Sequence, residues 1–194
     1  MQQHNLDNGM LLLELRSDSQ LDKNTIDDSI ALSVMPLAEY YLHEDYFQHR
    51  MFVDCLSSYE ANLGTLFIVR DGDKSVAFAF VYDIAPTING TYHIHLFSVF
   101  KSYQKKGIGS KLMNFLHGHL GDNPITLESS PSTVGFFEKN GFVVTGKELD
   151  FDFKHLRNNF ASNHDLFMHV QQTEEIASEF VPRFISAVNR LGIG

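Results

Sequence analysis

The sequence predicts an α/β (α+β) fold, a mixed and mostly antiparallel central sheet flanked by helices, with an extra amphipathic helix at the C-terminal end. Three observations carry that prediction. Helical periodicity before residue 64 gives way to short apolar runs separated by Asp71-Gly72 and Asn89-Gly90, both hairpin signals. The stretch from Tyr92 to Leu120 then reads as a buried strand, a glycine-containing loop and a helix without interruption. Finally, Ile176, Ala177, Phe180, Val181, Phe184, Ile185, Val188 and Leu191 lay an apolar stripe along the tail, with Pro182 as an expected kink.

In chain order, Met10 to Leu15 is the first expected strand. Thr25 or Asp27 is placed to cap a helix through Ile30, Leu32, Val34 and Leu37 that Pro36 interrupts. A second helix from about Glu44 to Leu63 has Phe47, Met51, Phe52, Cys55, Leu56 and Tyr59 on one face, with Gly64 expected to close it. Leu66 to Arg70, Ser75 to Tyr82 and Tyr92 to Phe100 form three antiparallel strands, and Ser110 to Leu120 a helix. Ile125 to Glu128 is a short strand, Ser132 to Asn140 a short helix ending at Gly141, and Phe142 to Thr145 the start of another strand. Glu148 to Asp165 reads as a long loop or a strand extension, and Leu166 to Val170 as a strand. The organisation is one domain over 1–172 and a C-terminal helix, 173–194, packed on it or at a contact between two copies in a homodimer.

Composition bounds the function. A chain of 194 residues with 43% hydrophobic and 20% charged residues suits one well-filled domain. No apolar run reaches membrane-spanning length, no secretory signal is visible, and Cys55 is the only cysteine, which fits a reducing cytoplasm. Cys55 itself is expected in the helix core. A net charge of −9 argues against nucleic acid as partner and is compatible with a cationic substrate drawn to an acidic cleft, although charge of this size also serves solubility alone.

The chemistry concentrates in Q-K-K-G-I-G, Gln104 to Gly109, between the strand and its helix. Glycine lets backbone approach a ligand, and a helix N-terminus presents unpaired N–H groups at the positive end of its dipole. Together they make a phosphate or pyrophosphate site. The loop is not G-x-x-x-x-G-K-S/T, and no metal-binding carboxylate follows it, so a nucleotide-phosphate enzyme is excluded.

With that arrangement the sequence resembles the GNAT superfamily of N-acetyltransferases. Gln104, Gly107 and Gly109 match its Gln/Arg-x-x-Gly-x-Gly/Ala signature, with Tyr103 before it and Ser110, Leu112 and Met113 after it. F-F-E-K-N-G-F, Phe136 to Phe142, is similar to the family's L-Y-E-K-x-G-F, and D-L-F-M, Asp165 to Met168, is weakly like its final strand. The resemblance implies that acetyl-CoA is the cosubstrate, an amine the acceptor, and no metal is needed. The backbone N–H groups of Gln104, Lys105, Lys106, Gly107, Ile108, Gly109 and Ser110 would hold the pyrophosphate, with both lysines adding charge. Phe97 and Val99 would meet the pantetheine, and the Val99 N–H would face the thioester carbonyl in a wedge between this strand and Ile125 to Glu128. Ser130, beside Ser129 and Ser132, and Phe137 complete the expected cofactor side.

A base must accept the acceptor's proton. Some members carry a glutamate six residues before the Val99 position, where this chain has His93; His95 follows on the same face. No carboxylate or cysteine is expected nearby to complete a metal set with the two histidines, so a metal is rejected. One departure stands out: the family's usual tyrosine acid is Phe137 here, which has no proton to give. It motivates the alternative of a CoA-binding sensor or scaffold without chemistry. For the acceptor side, the resemblance points to Tyr41, Glu44, Asp45 and Tyr46, and to Glu148 to His164.

Overall fold

The computed structural model describes residues 1–6, 9–40, 44–83, 91–149, 152–161 and 174–193; for 38–40, 44–46 and 148 it describes the backbone alone. Tyr41, the expected turn at Asn89-Gly90 and the expected strand from Leu166 to Val170 lie outside these residues, as does the D-L-F-M block.

Eight strands among the described residues form one sheet: β1 (Gln2–Asn5), β2 (Leu11–Leu15), β3 (Gly64–Asp71), β4 (Lys74–Tyr82), β5 (Tyr92–Val99), β6 (Ile125–Ser129), β7 (Val143–Glu148) and β8 (Lys154–Arg157). Their order is β1-β2-β3-β4-β5-β6-β8-β7, antiparallel at every junction except the parallel β5–β6 pair. The helices are α1 (Lys23–Val34), α2 (Glu44–Glu60), α3 (Ile108–Leu120), α4 (Val134–Lys139) and α5 (Glu174–Leu191).

Period-two alternation in the central strands divides the core in two. Leu66, Ile68, Phe78, Phe80 and Tyr82 face α1, α2 and α5, whereas Phe67, Val69, Ala77, Ala79 and Val81 face α3 and α4. Because both faces are covered, β3 and β4 read as nearly unbroken apolar runs. Cys55 is fully buried in the first core, and burial pushes its thiol pKa well up, away from nucleophilic use. α5 packs along α1 and α2: Phe180 and Phe184 enter their core, and Arg183 donates to Asp27 (3.0 Å) and lies 2.7 Å from Glu60. Pro182 is accommodated inside α5, which runs on to Leu191.

Three local readings change. α1 is capped by Asp22, whose carboxylate accepts the Thr25 N–H at 3.0 Å, because Asp27 is buried against Arg183. Gly64 does not close α2. Asn62 takes the left-handed position (φ 57°), with the Leu63 N–H bonded back to Ser58, and Gly64 opens β3, where a Cβ would lie 2.6 Å from the Phe80 ring. Third, the strand beside β6 is Lys154–Arg157, from the segment read as loop or extension. An unexpected edge strand, β1, is fastened through a buried carboxylate: Glu14 meets His4 (3.1 Å), Arg16 (2.9 Å) and His119 (3.9 Å). Burial alone would raise the Glu14 pKa, but the hydrogen bonds from Arg16 and His4 outweigh it and hold the carboxyl below its ordinary value.

Candidate active site

β5 is bonded to β4 along its whole length but to β6 only at Tyr92↔Ile125, His93↔Thr126 and Ile94↔Leu127. Beyond Ile94 the pair parts, and a cleft of about 710 Å³ opens between β5, β6 and α2. The β4–β5 register slips by one residue between Phe80↔Leu96 and Val81↔Ile94, which makes His95 the extra residue of a β-bulge. As a result Ile94 packs toward α3 while Leu96, two residues on, packs toward α1 and α2.

The far end of β5 meets the glycine loop. Phe100 donates its N–H to the Val76 carbonyl (3.1 Å), so by antiparallel alternation Val99 and Phe97 turn their N–H and C=O groups to the other edge, into the gap. The Val99 carbonyl is taken there by the Gln104 amide (3.0 Å), which pins loop to strand. Lys105 (φ 59°) and Gly107 (φ 79°) both adopt left-handed backbone, and Gly107 starts α3 without a side-chain cap. The first turn of α3 therefore offers unpaired N–H groups toward the cleft. The two glycines serve different needs. Gly107 has open space where a Cβ would go but a φ that side chains avoid, whereas a Cβ on Gly109 would sit 3.2 Å from Phe136 and 3.5 Å from Val99.

Most of the expected cofactor side faces this cleft: Gln104, Lys105, Gly107, Gly109 and Ser110 from loop and helix, then Phe97, Val99, Ser130 and Phe137. Lys106 and Ile108 are not in the lining. Lys106 lies over the Tyr103 ring at 5.0 Å, and the Ile108 side chain is buried under α3, so only its backbone is available. Phe137 is packed by Phe97 (5.8 Å), Phe136 (5.0 Å) and Phe142 (6.1 Å). The Ser130 hydroxyl bonds those of Ser132 (2.9 Å) and Thr133 (3.0 Å), forming a polar ledge on the β6 side.

On the opposite wall both histidines line the cleft, in different surroundings. His93 is 1% exposed, with Nδ1 3.0 Å from the Thr126 hydroxyl. His95 reaches α2, where its Nε2 lies 3.6 Å from the Asp54 carboxylate; Arg50 Nε stands 3.9 Å from the same oxygen. The Tyr82 ring meets His95 edge-on at 5.1 Å, and burial raises the Tyr82 pKa so that the phenol stays protonated. The expectation that no carboxylate accompanies the histidines is thus corrected: sequence distance hid Asp54. Its signal was present, since Asp54 continues the Phe47–Met51 helical face, and a carboxylate on a buried face asks for a partner. Among the described residues no group of three His, Cys, Asp or Glu stands together to hold a metal.

Among the described residues the cleft is not acidic. Its described charged residues are Arg50, Lys105 and Lys147 against Asp54 and Glu128, so the chain's negative charge is not gathered there. Of the expected acceptor residues, Glu44, Asp45 and Tyr46 belong to the first turn of α2, but their side chains lie outside the description. Phe47, Arg50 and Met51 of α2 line this end instead, with Leu149 and Phe153 of the β7–β8 loop.

A parallel strand pair that parts beside a glycine-capped helix defines an acyl-CoA N-acyltransferase type of fold. The model of the acetyltransferase (GNAT) domain matches residues 36–175, and the chain belongs to that family. No curated protein matches significantly. Among solved structures, an acyl-CoA N-acyltransferase from Pseudomonas aeruginosa is similar at TM-score 0.60 and 14% identity, covering 77% of this chain and 99% of its own. ElaA of Escherichia coli is similar at TM-score 0.56 and 15% identity, over 77% of this chain and 99% of its own. The PaiA N-acetyltransferase of Thermoplasma acidophilum, in complex with coenzyme A, follows at TM-score 0.53 and 13% identity, over 77% and 98%. At these identities the likeness concerns the fold.

Proposed function

We propose that the protein is an N-acetyltransferase that moves an acetyl group from acetyl-CoA to a primary amine by direct attack in a ternary complex. The observation that carries this reading is the parting of β5 from β6 immediately beside the left-handed Gly107 and the start of α3. Backbone N–H groups of the Gly107–Ser110 turn would bind the pyrophosphate, with Lys105 adding charge. The open edge at Phe97 and Val99 would pair with the amides of the pantetheine arm, and the Val99 N–H would oppose charge developing on the thioester oxygen. The related PaiA structure, which holds coenzyme A, supports the assignment.

His95 is the base favoured by the geometry. It lines the cleft, and Asp54 beside it stabilises the imidazolium and orients the ring. The amine forms its bond to the acetyl carbon, the carbon–sulfur bond breaks, the amine proton passes to His95, and the thiol group leaves as thiolate. His93, buried against Thr126, is assigned a positioning role. Phe137 favours a second reading, a CoA-binding sensor without chemistry, because no tyrosine is among the described residues that line the cleft to protonate the thiolate. Calorimetric titration with acetyl-CoA, combined with coenzyme A release over an amine panel, separates the two. Binding with turnover supports the enzyme, binding with no turnover on any amine supports the sensor, and no binding refutes both.

A further inference from the structure

We infer that the acceptor is a monoamine on an apolar, ring-sized body, such as an arylalkylamine, rather than a polyamine or a lysine of a protein. This rests on the acetyltransferase reading and specifies its acceptor. The end of the cleft beyond His95 is walled by Phe47 and Met51 of α2 and by Leu149 and Phe153 of the β7–β8 loop. The Phe47 and Phe153 rings stack at 5.8 Å with an interplanar angle of 27°, joining the two walls across the mouth. An apolar body is desolvated beneath such a roof, whereas a peptide backbone needs an open groove there.

Charge decides the rest. The carboxylate at this end, Asp54, is 11% exposed and lies beside His95, two helical turns from Phe47, about 10 Å along the axis. That places one amine at the base with room for a short linker and a ring between it and the aromatic roof. Among the described residues that line the same cleft, a second ammonium group would meet Arg50, Lys105 and Lys147 against one further carboxylate, Glu128. A polyamine is therefore opposed by like charge, and a monoamine is not.

The test uses the full chain with acetyl-CoA and three acceptors, phenethylamine, spermidine and a blocked lysine peptide, and also titrates each into coenzyme A-loaded protein. Phenethylamine is expected to lead in kcat/KM by about tenfold or more, and Phe47→Ala or Phe153→Ala to raise its KM about tenfold with kcat little changed. Thermal melts identify any variant that fails to fold, and the wild-type ranking stands independently of both. Preference for spermidine or the peptide overturns the inference while leaving acetyl transfer intact, as does unchanged KM in both folded variants. Should no acceptor turn over, phenethylamine binding tightest to the loaded protein supports the subsite, and absence of that binding overturns it. Failure to bind acetyl-CoA overturns the acetyltransferase reading and this inference with it.

Discussion

The two halves of the cleft are built in different ways. The proposed cofactor half is nearly continuous in sequence: the open edge at Phe97 and Val99, the Gln104 side chain that locks it, and the left-handed Gly107 follow within about a dozen residues. Its partners are mostly backbone groups, so the pattern of glycines and one glutamine specifies it. The acceptor half is assembled from α2, the β5 bulge and the β7–β8 loop, and its side chains meet only through the fold. A backbone-built site is hard to alter without losing it, whereas a side-chain-built site can change specificity one residue at a time.

That contrast sets the expected size of perturbations. Gly107→Glu should reduce acetyl-CoA affinity more than about 100-fold by calorimetry, since it adds negative charge at the phosphate site on a φ of 79°. Gly107→Ala isolates the conformational part, about 1–2 kcal/mol, and should weaken binding by roughly tenfold. Wild-type affinity in both variants would show that the loop does not hold the cofactor.

In the acceptor half, Asp54→Asn leaves acetyl-CoA binding unaltered and lowers kcat/KM about tenfold, because the carboxylate 3.6 Å from His95 is lost. An unchanged kcat/KM would separate Asp54 from the chemistry. Outside both halves, Glu14→Gln should spare activity and cost about 2 kcal/mol of stability near neutral pH by denaturant melts. The sign follows from the lowered Glu14 pKa. Its contribution is complete above the unfolded carboxyl value of about 4.3 and is lost as pH falls through the folded value, so the variant should lose less stability on acidification. Equal acid sensitivity would remove Glu14 from that role.

What could be read from the chain divides along the same line. The glycine loop, its strand and helix, and the two-sided burial of β3 and β4 were written locally in period and turn chemistry. Gly64 misled because glycine after a helix is ordinarily a cap, and the reason for this one, the Phe80 ring 2.6 Å from its missing Cβ, comes from a residue sixteen positions on. β1 went unread since Gln2–Asn5 carries no apolar alternation and is held by the long-range contact of His4 with Glu14. Strand β8 is only four residues, Lys154–Arg157, with its register set by β6 and β7. The pairing of His95 with Asp54 was concealed by the forty residues between them, although each was visible on its own element.

The central claim is that the two halves meet at His95, and kcat/KM for coenzyme A release, measured alongside acetyl-CoA affinity, tests it most directly in wild type, His95→Gln and His93→Gln. The account predicts that all three proteins bind acetyl-CoA with similar affinity, that His95→Gln lowers kcat/KM about 100-fold or more, and that His93→Gln lowers it far less. Near wild-type kcat/KM in His95→Gln, or a larger loss in His93→Gln, would contradict it.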